Sequence, residues 1–165
     1  MVKNELNLAS FGQLEFYMQL ALKEADKAFL EGEIPVGAVV VNQSGEVISK
    51  AYNKRQSMIN PLMHAEIIAI SKAAKVLKSW RLSNLTLFVT LEPCLMCAGL
   101  LNQCRIKRVV YGTSDPKGGA LGSLYNFSCD PRLNHEFEVI DAVLEKQCAD
   151  RLRKFFRAKR NKTNL

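Results

Sequence analysis

Glu92-Pro93-Cys94-Leu95-Met96-Cys97 lies one residue beyond a largely apolar run at 85–90. A proline just ahead of a C-x2-C marks a strand-to-helix turn. The first helical turn has N–H groups without intrahelical partners, so it tolerates a residue that lacks one. Cys94 and Cys97 are three residues apart, which puts both sulfurs on one helix face near its positive end. That field favours thiolate over thiol, and thiolate is the metal-binding form. Two thiolates do not complete a zinc site. Upstream, His64-Ala65-Glu66 offers an imidazole and, two residues on, a carboxylate. Two cysteines and a histidine with one corner left open form a catalytic zinc arrangement, and Glu66 is a candidate proton carrier. A structural zinc would instead need a fourth ligand from Cys104, Cys129, Cys148 or His135.

Outward from that turn, helical and strand periodicities alternate. Ser10-Phe11-Gly12-Gln13 fits a capping box, and Leu14, Met18, Ala21, Ala25, Ala28 and Phe29 follow at helical spacing up to Gly32. Strands are expected at 36–41 and 46–52, joined by the turn Asn42-Gln43-Ser44-Gly45. A loop at 53–63 leads into a second helix at 63–80. In its first turn His64 and Glu66 lean toward the N-terminus, so both reach a site beyond the helix end. The apolar run at 85–90 is a strand, and the helix after the Pro-Cys turn reaches about Gln103. Strands at 108–111 and 137–140 flank a Gly-rich loop at 112–122. A closing helix at 144–160 carries Leu144, Cys148, Leu152 and Phe155 on one face. Alternation after an opening hairpin predicts an α/β fold with a mixed sheet, in one domain over 1–165. Cys104, Cys129 and Cys148 read as small apolar fillers, and His135 as structural.

Apolar content of 48% and charged content of 24% are globular values. The first ten residues contain no apolar leader core, and no run approaches membrane-spanning length. A reduced cytoplasm and metal ligation are therefore expected for the five cysteines, rather than disulfides. The formal charge of +7 is confined to one segment. Residues 151–165 carry seven basic side chains and no acidic one, while the remaining Lys and Arg equal the Asp and Glu in number. A basic block points to a polyanion partner. The competing reading is a solvated helix end, where cations also suit the dipole.

His64-x-Glu66 followed by Pro93-Cys94-x-x-Cys97 is the recognised signature of zinc nucleobase deaminases. The chain resembles the bacterial tRNA-specific adenosine deaminase family, within the cytidine deaminase-like superfamily, over nearly its whole length. The matching stretches include Pro35-Val36-Gly37-Ala38-Val39, Cys97-Ala98-Gly99, Val109-Val110-Tyr111-Gly112, Gly122-Ser123-Leu124 and Asn134-His135. Asp115-Pro116-Lys117-Gly118-Gly119 and Phe155-Phe156 with its trailing basic residues single out the tRNA branch. Leu62-Met63 depart from the family's usual Thr-Ala before the histidine, which bears on how the base is seated.

The resemblance implies a three-layer α/β/α sandwich with a five-stranded mixed sheet and one zinc ion per subunit. It also implies a homodimer, hydrolysis of adenosine to inosine at the wobble position, and a tRNA anticodon stem-loop as partner. Asn53 would hydrogen-bond the flipped nucleoside, Ile34 would line the base pocket, and the backbone of Ala65 would touch the base. The competing readings are a turn residue, core packing and an ordinary helix start. Asp115 and Lys117 would meet a ribose hydroxyl and a phosphate at the pocket mouth, against a solvated turn. Arg151, Arg153, Arg157 and Arg160 would reach phosphates. Of the consecutive Phe155 and Phe156, one packs in the core and the other faces the nucleotide cleft; Phe156 is counted among the candidate contacts. The apolar stretch at 95–101 is either a dimer face or monomer core. One rival is a deaminase of a free base or nucleotide, of guanine or cytosine type. A second is a non-catalytic, zinc-stabilised nucleic-acid binder.

Overall fold

The computed structural model describes residues 11–163, so Ser10 of the expected capping box and the rest of residues 1–10 lie outside it. The chain runs α1 (Phe11–Leu30), β1 (Gly37–Asn42), β2 (Val47–Tyr52), α2 (Ala65–Leu77), β3 (Leu85–Leu91), α3 (Leu95–Gln103), β4 (Arg108–Thr113), β5 (Glu138–Ile140) and α4 (Glu145–Thr163).

One five-stranded sheet has the order β2-β1-β3-β4-β5. The β2-β1-β3 pairs are antiparallel, and β3-β4-β5 are parallel. The sheet is mixed, as expected. Strand periodicity then divides the core in two. Ala38, Val40, Leu87, Val89, Val109 and Tyr111 face α2 and α3. Their neighbours Val39, Val41, Phe88 and Val110 face α1 and α4. This alternation puts helices on both faces, giving the three-layer sandwich. β3 is buried along nearly its whole length because it lies at the centre of the sheet with helices above and below.

Turn chemistry sets the boundaries. Asn42 Oδ1 accepts hydrogen bonds from the N–H groups of Ser44 and Glu46, and Gly45 takes a positive φ of 83° to close the hairpin. The second helix is shorter at both ends than its expected 63–80. His64 is its N-cap, with extended φ and ψ, and Lys78 closes it in a left-handed conformation. Trp80, beyond that stop, is exposed and lies beneath the Arg81 guanidinium. The last helix carries Cys148 and Phe155 into the core as expected. Of the cysteines read as fillers, Cys104 and Cys148 are buried, whereas Cys129 is exposed on the loop before β5. That reading is corrected for Cys129. His135 is structural: its Nε2 bonds the Ile106 carbonyl at 2.7 Å, and its own carbonyl accepts from Asn102.

The parallel pairing of β3 and β4 places Leu91 opposite Thr113 at the carboxyl ends of the two strands. β3 leads directly into Glu92-Pro93-Cys94, and β4 into the loop starting at Ser114. Strand ends at one edge of an α/β sheet are where ligands bind.

α1 lies directly over β1, with Gly37 as the point of closest approach. A Cβ at Gly37 would overlap the Ala21 carbonyl and the Ala25 amide, which are helix backbone and cannot move aside singly. Gly37→Ala should therefore lower unfolding free energy by about 3 kcal/mol. Urea unfolding checks this, and an unchanged midpoint would mean that α1 sits farther from the sheet.

Candidate active site

α2 and α3 begin at the same place. His64 is the N-cap of α2 and Cys94 the N-cap of α3, and neither side chain makes a capping hydrogen bond. Both are left to face a third residue, Cys97, one turn into α3. His64 Nδ1 lies 3.5 Å from Cys97 Sγ and 3.8 Å from Cys94 Sγ, and the three ligand atoms lie within 4.8 Å of one another. Tetrahedral zinc with bonds of ~2.3 Å to sulfur and ~2.0 Å to nitrogen has ligand-ligand edges of roughly 3.5–3.8 Å. The donor set fits one zinc ion. Among the described residues no other Cys, His or carboxylate joins the cluster, so the fourth ligand required of a structural zinc is missing from it.

The protons of this set are tightly shared. Hydrogen bonds from Cys97 and then His64 hold the Cys94 sulfur down to about 3, as a thiolate. The same contact with Cys94, together with burial, pushes the Cys97 thiol up. Bonding to Cys94 raises the His64 imidazole. Glu66 is 4% exposed, and its Oε2 is buried without a hydrogen-bond partner. Burial holds its carboxyl above the usual carboxylate range. An orphaned carboxylate oxygen one residue past the helix start, beside an imidazole and two sulfurs, is suited to carrying a proton.

Asn53, buried at the end of β2, accepts a hydrogen bond through Oδ1 from the Ala65 N–H at 2.9 Å. It thus caps α2 from a distance, in place of His64. The Ala65 N–H makes this bond, and Ala65 is fully buried.

A separate cleft of about 720 Å³ gathers most of the other expected residues. Ile34 and Phe156 form part of its apolar wall. Asp115, Lys117, Arg153, Arg157 and Arg160 contribute its charged lining. Phe155 is the buried member of the aromatic pair and packs edge-on against Phe29, while Phe156 is 43% exposed. Arg153 also pairs with Asp150 at 2.6 Å. Arg151 does not join the cleft; its guanidinium pairs with Asp26 of α1 at 2.7 Å. Helix positions two apart splay Arg151 and Arg153 to different sides, and Arg151 is on the side that meets α1. The metal-binding residues are not part of the cleft lining.

Leu91, Ser114, Pro116 and Leu152 also line the cleft and were not among the candidate site residues; Leu152 was expected on the same helix face as Cys148 and Phe155. Ser114, Pro116 and Leu152 each neighbour a residue that was chosen, and the parallel pairing of two strand ends would have pointed to Leu91 and Ser114.

Residues 12–113 match the family described as the cytidine and deoxycytidylate deaminase zinc-binding region. The tRNA-specific adenosine deaminase of Bacillus subtilis (strain 168) is 48% identical over 150 residues, covering 91% of this chain and 92% of its own. That of Haemophilus influenzae is 46% identical over 92% of this chain and 87% of its own. The chain belongs to the tRNA-specific adenosine deaminase family. A solved structure from work on A-to-I editing by tRNA:A34 deaminases at the wobble position of transfer RNA is similar in fold. It superposes with a TM-score of 0.80 at 40% identity, covering 83% of this chain and 99% of that one. The family's zinc-binding region spans α1 to β4 and ends before the basic helix α4.

Zinc must displace the protons that Cys97 and His64 hold, so its apparent affinity should rise with pH. Chelator competition between about pH 6 and pH 8 is expected to show tighter binding at the higher pH. Metal analysis should find one zinc per chain, lost in Cys97→Ala. Affinity that stays flat or falls over that range would put the metal elsewhere.

Proposed function

We propose that this protein is a zinc-dependent hydrolase that converts adenosine to inosine at the wobble position of a tRNA anticodon. The observation that carries the proposal is the three-ligand cluster with the buried, unpartnered Glu66 oxygen beside it. A three-ligand site leaves room for a reactant, and a proton carrier at its edge has no use in a purely structural centre.

His64, Cys94 and Cys97 hold the metal, whose contribution when bound is Lewis-acid activation of a water for hydrolysis. Glu66 takes up the proton that the water gives off and delivers it to N1 of the adenine ring. It then takes the proton of the hydroxyl now on C6 and passes it to the departing amine, so that C6 becomes a carbonyl and ammonia leaves. Its raised proton affinity suits this task, since a carrier works best when its pKa approaches the working pH. Asn53 holds the start of α2, and with it His64 and Glu66, in place. Its carboxamide also has a donor end to offer the nucleoside.

Substrate choice follows from the cleft and the basic helix. Ile34 and Phe156 offer apolar surface for a splayed-out base. Lys117, Arg153, Arg157 and Arg160 offer cations for phosphates, and Asp115 offers an acceptor for a ribose hydroxyl. Anticodon-loop bases are single-stranded, so removing one from its stack costs little. A free-base deaminase has no use for four cationic side chains along one cleft. The proposal extends to a single-domain subunit over 1–165, a homodimer and a cytoplasmic location. Among the described residues, no helix is long and apolar enough to cross a membrane.

Incubating the zinc-loaded protein with an adenosine-bearing anticodon stem-loop should yield inosine, scored by mass. Glu66→Ala should retain zinc yet slow turnover by about 10²- to 10⁴-fold or more. Conversion of free guanine or cytosine without any inosine in the stem-loop would favour the free-base reading. An active, zinc-loaded Glu66→Ala would remove the proposed proton carrier.

A further inference from the structure

Glu92 is a carboxylate just past the buried central strand, two residues before a metal ligand, and it is only 2% exposed. Its partners are N–H groups and a hydroxyl rather than a cation. Oε1 accepts from the Leu121 and Ser123 N–H groups, each at 3.0 Å. Oε2 accepts from the Asp115 N–H at 2.9 Å and from the Ser123 hydroxyl. All four donors belong to the single loop that follows β4.

The backbone around Glu92 is tied to the same loop. The Glu92 N–H donates to the Thr113 carbonyl and the Ala120 N–H to the Pro93 carbonyl, both at 2.9 Å. Cys94 and Gly119 form an isolated antiparallel bridge. Gly119 lies so close beneath the carboxylate that a Cβ there would drive into it. The loop's outer part, Ser114 to Lys117, forms one wall of the charged cleft, and within it Asp115 Oδ1 accepts from the Lys117 N–H at 3.0 Å.

We propose that Glu92 is a positioning residue: it fixes the cleft loop against the metal-binding turn, so that RNA gripped by Asp115 and Lys117 is held at a set distance from the reacting base. What the loop grips rests on the proposed tRNA deaminase function; that Glu92 organises the loop does not. A carboxylate is needed because it accepts at every position. A carboxamide would turn its NH₂ toward N–H and O–H donors at one of the two oxygens and lose those bonds. Charge-assisted bonds are also the stronger kind. Glu92 is not one of the clustered metal-binding residues and both its oxygens are taken up by the loop, so its loss acts on substrate seating and not on the chemical step.

The test is steady-state kinetics of zinc-loaded Glu92→Gln and Ser123→Ala on the anticodon stem-loop. KM should rise by at least about tenfold in Glu92→Gln and by less in Ser123→Ala, with kcat within about twofold of the parent and one zinc per chain. That split is the mark of lost binding that is uniform between ground and transition states. Gly119→Ala, which crowds an intact Glu92, should reproduce the KM defect, and it decides the matter should Glu92→Gln fail to fold. Unchanged KM, or a kcat that falls together with zinc content, would overturn the proposal. If the parent protein makes no inosine, the functional reading fails, and amide hydrogen exchange then decides for Glu92. Exchange at Asp115, Leu121 and Ser123 should quicken in Glu92→Gln while α2 keeps its protection; equal rates in both proteins would sink the idea.

Discussion

Two helix starts converge on one point, and the side chains that would ordinarily cap them serve as ligands instead. An N-cap position favours Ser, Thr, Asp or Asn, and a missing cap costs about 1 kcal/mol. Here His64 and Cys94 occupy both caps and bond neither helix. The positive ends of α2 and α3 thus face the same small volume. This stabilises thiolate before any metal arrives and negative charge that builds there during a reaction. For α2 the deficit is partly made good by Asn53, whose carbonyl oxygen takes the Ala65 N–H. The site is locally unfavourable for folding and favourable for holding a cation, which is a common bargain at functional positions.

The sheet makes this convergence possible. Parallel pairing puts the ends of β3 and β4 side by side, and the opening hairpin returns β2 so that Asn53 arrives at the start of α2. Two buried glutamates then hold the loops that rim the site. Glu92 gathers the loop after β4, and Glu33 Oε1 accepts from the N–H groups of Gln56 and Ser57, each at 2.8 Å. Buried carboxylates are costly unless satisfied, and here backbone N–H groups satisfy them. Loops that would otherwise sample many conformations are thereby pinned to the layered core.

The parts legible in the sequence were those governed by local rules. The apolar run at 36–41 was read as the strand that the structure forms at Gly37–Asn42, and the spacing of Cys94, Cys97 and His64 announced the metal cluster. Relations between distant segments were less legible. Arg151 meets Asp26 of α1 only in space, the two lying 125 positions apart in sequence, so a run of cations concealed one that is already paired. Glu92 was visible as part of a motif, yet its four bonds come from residues 23 to 31 positions downstream. A carboxylate ending a strand as apolar as Leu85–Leu91 was the available clue, because such a group must find donors. The end of α2 was misplaced for a different reason: Lys78 adopts a left-handed conformation that its residue type does not advertise.

X-ray absorption at the zinc edge of the loaded protein examines the metal centre without recourse to activity. Two sulfurs at ~2.3 Å and two lighter atoms at ~2.0–2.1 Å, of which imidazole accounts for one, is the expected shell. That spectrum corresponds to His64, Cys94 and Cys97 with one position left to solvent. A third sulfur or a second imidazole in the shell would close that position and contradict the account.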